Sequence, residues 1–89
     1  MEFEWNENKN AANIGRHKIS FDAVFDFDWA HALITDRTRH ADGEPRFAAI
    51  GILYGKIYTI IYTHREERRR IISLRRSNKP EEKAYDEIH

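Results

Sequence analysis

Residues 47–76, FAAIGILYGKIYTIIYTHREERRRIISLRR, decide the fold. Phe47 to Leu53 is an apolar run with β-branched character, and Tyr54-Gly55-Lys56 reads as a tight hairpin connection. Ile57 to Thr63 is β-branched or aromatic at every position, the strongest strand signal in the chain. His64 to Arg68 makes a charged turn, and Arg69 to Arg75 is the next strand. Strands joined by such short turns pair as an antiparallel meander.

Working outward, Ala32 to Thr35 reads as a short strand, and Asp36 to Pro45 as a polar loop punctuated by Gly and Pro. Near the start, Glu2 to Trp5 alternates polar and apolar residues like a strand. Asn6 caps a helix running to about His17, although Gly15 is out of place inside it. Ser20 caps a second short helix whose apolar stripe is Phe21, Val24 and Phe25. On the C-terminal side, Asn78 and Glu81 form a capping box with Pro80 in the first turn, and Ala84, Tyr85 and Ile88 give the last helix an apolar side. The order is β-α-α-β-β-β-β-α. It predicts one α+β domain over residues 1–89, an antiparallel sheet with its helices on one side. The other sheet face is then open to a ligand.

A chain of 89 residues has room for one small core. A domain of this size buries only about 60% of its unfolded surface, so a partner chain is a natural source of further stability. There is no cysteine, which excludes disulfides and thiolate metal sites and fits a reducing cytoplasm. The opening residues, Met1 to Trp5, lack the basic and apolar regions of a secretory signal. The longest apolar stretch, Phe47 to Tyr54, is too short to span a bilayer. A soluble cytoplasmic protein is expected, with no membrane partner.

Net charge is zero but unevenly spread. Residues 1–45 carry five Lys/Arg against nine Asp/Glu, and residues 46–89 carry ten against six. The stretch from His64 to Lys79 alone holds six Arg and one Lys against two Glu. Such asymmetry points to a surface that meets a polyanion, or else to a solvated charged hairpin.

Within Arg70–Arg75 side chains alternate across the sheet, which groups Ile72 with Leu74 and Ile71 with Ser73 and Arg75. Arg75 then projects from the more polar face. Arg70 falls on the Ile72 face unless twist or a bulge redirects it. Guanidinium forks suit phosphodiesters, because they give two parallel hydrogen bonds and hold charge that builds in the transition state. The competing role for Arg70 or Arg75 is a structural ion pair with a helix carboxylate. Lys9, Asn13 and His17 lie along one face of the first helix, and lysine and histidine are side chains that move protons. Against that, His17 also suits a helix C-terminus, and Lys9 a solvated position. Tyr58 and Tyr62 share a side of the central strand, placed either to stack bases or to fill the core. The five histidines show no ligand spacing, and no phosphate loop or dinucleotide motif is present, so neither metal nor cofactor is expected.

The ordered set Phe3-Glu4-Trp5-Asn6, Lys9, Asn13, Arg16-His17-Lys18-Ile19-Ser20-Phe21 resembles the opening of BrnT toxins. Asp42-Gly43-Glu44-x-Arg46-Phe47 with Gly51, then Arg70-Ile71-Ile72-Ser73-x-Arg75-Arg76, then Glu81 and Tyr85, are similar to later segments of that family. Asn6, Arg16 and Leu74 stand where the family pattern has Asp, Lys and Ala. The resemblance implies a RelE-like ribonuclease that arrests translation and is neutralised by a BrnA-type antitoxin. It also implies a toxin dimer within the complex, and operator DNA reached only through the antitoxin. The expected mechanism places Arg70 and Arg75 on the scissile phosphate of an RNA substrate, with Lys9 or His17 moving the proton. Arg65, Arg69, Arg76, Tyr62 and Tyr85 are the expected RNA contacts. The alternative is a non-catalytic basic module that binds a protein or nucleic acid without cutting it.

Overall fold

A computed structural model describes residues 2–38 and 43–89. Strand β1 is Glu2–Trp5, helix α1 is Glu7–His17, and two short 3-10 helices follow at Phe21–Phe25 and Trp29–His31. Then come β2 (Leu33–Asp36), β3 (Phe47–Leu53), β4 (Lys56–Arg65), β5 (Arg68–Arg76) and helix α2 (Lys79–Glu87). Part of the expected Asp36–Pro45 loop, residues 39–42, lies outside the described residues.

The strand order is β1-β5-β4-β3-β2. Strands β2 to β5 form the expected antiparallel meander. The Leu53↔Lys56 pair closes a two-residue turn in which Tyr54 (φ 49°) and Gly55 (φ 77°) are both left-handed, the mirror-image turn that matches strand twist. The sheet is not wholly antiparallel: β1 lies parallel to β5, from Glu2↔Arg68 to Trp5↔Ile71. The chain leaves β1 through α1 and the 3-10 helices and re-enters the sheet at its far edge, so the last strand returns beside the first.

A bulge in β5 sets the faces of the sheet. Ile61 pairs with Ser73, but Tyr62 pairs with Ile71, which leaves Ile72 as the extra residue. Ile71, not Ile72, therefore joins Leu74 on the core face, and Arg70 turns onto the face of Ser73 and Arg75. The core on the first face gathers Phe21, Val24, Phe27, Leu53, Ile60, Tyr62, Ile71 and Leu74. Ser20 caps the Phe21–Phe25 segment by accepting from Asp22 N–H, yet the turn is 3-10 rather than α, and Phe25 is 66% exposed instead of completing the stripe.

Helix α2 starts with the expected capping box, Asn78 and Glu81 bonded reciprocally to each other's backbone N–H. It covers the opposite face, where Ile50, Thr59 and Arg75 lie in one cross-strand row. The expectation of helices on one side is thus corrected. The buried row Ile50–Thr59 offers a second landing surface directly after β5 ends, and Glu81 and Tyr85 bury against it. Ile88 stays exposed.

Helix α1 is tied to the sheet by Asn13. Beyond Ile71, β5 has outrun β1, and its edge is met by one carboxamide: Asn13 Nδ2 donates to Leu74 O (2.9 Å) and Leu74 N donates to Asn13 Oδ1 (3.1 Å). The same Nδ2 donates to Ile19 O at 3.0 Å. Asn10 does similar work one turn earlier, accepting from Phe21 N at 2.8 Å. No helix among the described residues is long and apolar enough to cross a membrane.

Candidate functional site

The pairing of α1 with the β5 edge opens a cleft of about 270 Å³ lined by Lys9, Ala12, Asn13, Arg16, His17, Ile72 and Ser73. Two of the expected residues, Lys9 and His17, therefore share one wall, eight positions apart with Asn13 midway between them. Burial lowers the His17 pKa below its ordinary value, and the charges of Arg16 and Arg75 lower it further. His17 is therefore neutral near pH 7 and able to accept a proton.

Arg75 lies in a second cleft of about 260 Å³, lined also by Thr35, Arg37, Ile50, Asn78, Pro80, Glu81 and Ala84. There Arg75 Nη1 and Nη2 donate to Glu81 Oε1 (2.7 Å) and Oε2 (2.9 Å), a bidentate pair. Arg37 Nη2 reaches the same Oε2 at 3.4 Å, and Asn78 N donates to Oε1 at 2.9 Å. Glu81 is 5% exposed. Burial alone would raise its pKa, but the Arg75 hydrogen bonds, the Asn78 N–H and the Arg75 charge outweigh it and hold the carboxyl at about 2. The same pairing raises Arg75 above its ordinary value. A carboxylate so acidic is a poor proton carrier and a good anchor.

The remaining arginines are dispersed. Arg70 shares the Arg75 face, but their partners Thr63 and Thr59 lie four residues apart on β4, roughly 13 Å at 3.3 Å per residue, and each guanidinium is held by its own carboxylate, so the two do not meet at one phosphate. Arg70 Nη1 donates to Glu4 Oε2 at 2.7 Å, which holds the Glu4 pKa below its ordinary value. Arg65 sits at the tip of the β4–β5 hairpin, paired with Glu44 at 2.8 Å. Arg69 and Arg76 project from the opposite face, over Trp29 (4.2 Å) and Tyr58 (5.7 Å) respectively. Tyr62 is 2% exposed among Trp29, Phe47 and His64, so its ring is core and has no face for a base. Tyr85, on α2, is itself buried, with its ring 4.2 Å from that of His89.

Two residues at the centre of this arrangement escape a sequence reading of the site. Arg37 stands at the start of a polar loop, with no periodicity to mark it. Glu81 reads as a capping residue, which it is, while the same carboxylate also binds two guanidiniums. Among the described residues no group of three or more His, Cys, Asp or Glu is arranged to hold a metal ion.

Residues 5–81 match the family model of the ribonuclease toxins, BrnT, of type II toxin–antitoxin systems. The chain is a member of the BrnT toxin family. No curated protein matches it.

Proposed function

We propose that this ribonuclease toxin is an endoribonuclease that needs no metal: the RNA's own 2′-OH attacks the adjacent phosphodiester. The 2′-oxygen forms the new bond to phosphorus, the bond to the 5′-oxygen breaks, and the products carry a 2′,3′-cyclic phosphate and a 5′-OH. His17 accepts the 2′-OH proton, Lys9 donates to the leaving 5′-oxygen, and Arg75 stabilises charge on the phosphorane. The observation that carries this reading is the cleft uniting Lys9, His17 and Ser73, close enough to Arg75 for its charge to act on His17. Cleavage of cellular RNA would arrest translation in the cytoplasm. A BrnA-type antitoxin would neutralise the toxin, hold it in a complex containing a toxin dimer, and supply any contact with operator DNA. The α+β architecture is compatible with a RelE-like fold.

The test is incubation of the pure protein with RNA, with and without chelator, followed by analysis of the 3′ ends. Cyclic phosphate ends that persist with chelator are expected. General acid–base groups typically contribute 10²–10⁴-fold, so His17→Gln should slow cleavage by about 100-fold or more. Arg75→Ala is a poorer probe, because it leaves Glu81 buried and without its main partner, at a cost of about 3–5 kcal/mol. The second reading, a non-catalytic binding module, is favoured by one observation: Arg70 and Arg75 already have carboxylate partners. RNA bound but left intact at high protein concentration would establish it.

A further inference from the structure

The cleft between β2, β5 and the start of α2 holds two guanidiniums around one buried carboxylate. We infer that Arg37 and Arg75, bridged by Glu81, form a two-armed clamp for an RNA phosphodiester, with Arg37 a further RNA contact and Glu81 the positioning residue that aims Arg75. This deepens the ribonuclease reading given above and rests on it for the identity of the anion.

Charge comes first. Two cations and one anion leave a net charge of +1 in a cleft of about 260 Å³, so the carboxylate organises the site without neutralising it. Donor supply comes second. Arg75 spends one hydrogen from each Nη on Glu81 and the second Nη1 hydrogen on Arg76 O (3.3 Å), which leaves Nε–H and one Nη2 hydrogen, while the Arg37 contact is single and long at 3.4 Å. Each guanidinium has five N–H donors in a fixed fork, so both retain groups for a second acceptor. Access comes third: the Arg37 and Arg75 side chains remain 33% and 27% exposed while Glu81 is withdrawn behind them at 6%. An approaching anion meets the donors before the carboxylate. Thr35 lines the same cleft, and its hydroxyl is buried with no hydrogen-bond partner among the described residues.

Glu81 also fixes geometry from two sides. Its Oε1 is pinned by Asn78 N–H, so the helix start orients the carboxylate, and the Arg75 fork follows it. Glutamine at this position keeps the capping box. It removes the charge and one acceptor oxygen that hold the fork, so Glu81→Gln separates positioning from helix initiation.

The experiment uses the full chain and two probes: a cleavable single-stranded RNA for kcat and KM, and a fully 2′-O-methyl RNA, which cannot supply the attacking hydroxyl, for binding. Arg37→Gln should weaken binding of the methylated RNA about 10-fold. It should also flatten the dependence of log K on log salt by about 0.7, the loss of one phosphate contact. Glu81→Gln should lower kcat about 10-fold or more while affinity for the methylated RNA stays level or rises, since the cleft gains positive charge. A merely structural role would depress both. Wild-type affinity and salt slope in Arg37→Gln, or wild-type kcat in Glu81→Gln, overturns the clamp even if the protein cleaves RNA. An Arg37-dependent affinity in a protein that cleaves nothing retains the clamp and removes the nuclease. Failure of the wild-type chain to bind either RNA removes the clamp as well. Should Glu81→Gln not fold, Arg37→Gln decides the question alone, because Arg37 is partly exposed and its removal leaves the bidentate pair intact.

Discussion

Glu81 keeps its negative charge where burial opposes it, and that has a consequence for stability against pH. Its pKa falls from an ordinary 4.5 to about 2 on folding. A depressed carboxylate contributes stability that is complete above the unfolded value and is lost as pH falls through the folded value. The window is therefore pH 4.5 down to about 2, and the loss amounts to about 3 kcal/mol as an upper bound. Urea titrations at pH 6 and pH 2.5 should show the drop in the wild type, with Glu81→Gln less stable at pH 6 and less sensitive to acid. Equal acid sensitivity in both proteins would separate Glu81 from the effect. His17 has the opposite charge logic. Its pKa is lowered by burial first, then by Arg16 and Arg75. Exchanging Arg16 for Gln should move the imidazole titration upward, toward the ordinary 6.5, and carry the acid limb of the cleavage rate with it; NMR of the His17 ring reads the first part without any activity. An unmoved titration would mean that Arg16 does not act on this imidazole.

At the scale of elements, Asn13 substitutes for a strand. Asn13→Asp preserves volume but replaces a donor with an acceptor facing Leu74 O and Ile19 O. Leaving two carbonyls without their donor and adding charge should cost about 3 kcal/mol or more in urea unfolding. A second element-level constraint is Gly51 in β3, where a Cβ would stand 2.8 Å from Phe27 Cζ and 3.3 Å from Ala32 Cβ. Gly51→Ala should cost roughly 1–3 kcal/mol through overpacking, measurable as a lower urea midpoint. The elements also mark where sequence reading ends. The 47–76 meander was legible because β-branched runs and a Tyr54-Gly55 turn act locally, and the α2 start because Asn78 and Glu81 are three residues apart. The parallel β1–β5 pair joins residues more than sixty positions apart, and periodicity carries no trace of it. The Ile72 bulge is likewise silent in the sequence, yet it alone decides that Arg70 shares a face with Arg75. Lys9 and His17 could be placed together because one helix holds both. Arg37 could not be joined to Arg75, because only the folded sheet and α2 bring them to one carboxylate.

At the scale of the molecule, a chain with fifteen basic and fifteen acidic residues cannot rely on net charge to attract RNA. Most of the basic hairpin is compensated where it stands: Arg65 by Glu44 at 2.8 Å, Arg70 by Glu4 at 2.7 Å, and Arg68 by Glu4 at 3.7 Å. Arg69 and Arg76 lie over aromatic rings on the other face. What remains near the clefts is Lys9, Arg16 and the net single positive charge of Arg37 and Arg75 around Glu81. Two or three phosphates are therefore the number one RNA strand can engage. For single strands the slope of log K against log salt is about −0.7 per phosphate, so the expected slope is about −1.4 to −2. Fluorescence anisotropy of a labelled 2′-O-methyl RNA across a potassium chloride series measures it. A slope steeper than about −4 would require some six phosphates. The compensated hairpin would then have to release its carboxylates and join the interface, and the RNA path would run along the whole of β5 instead of across its end.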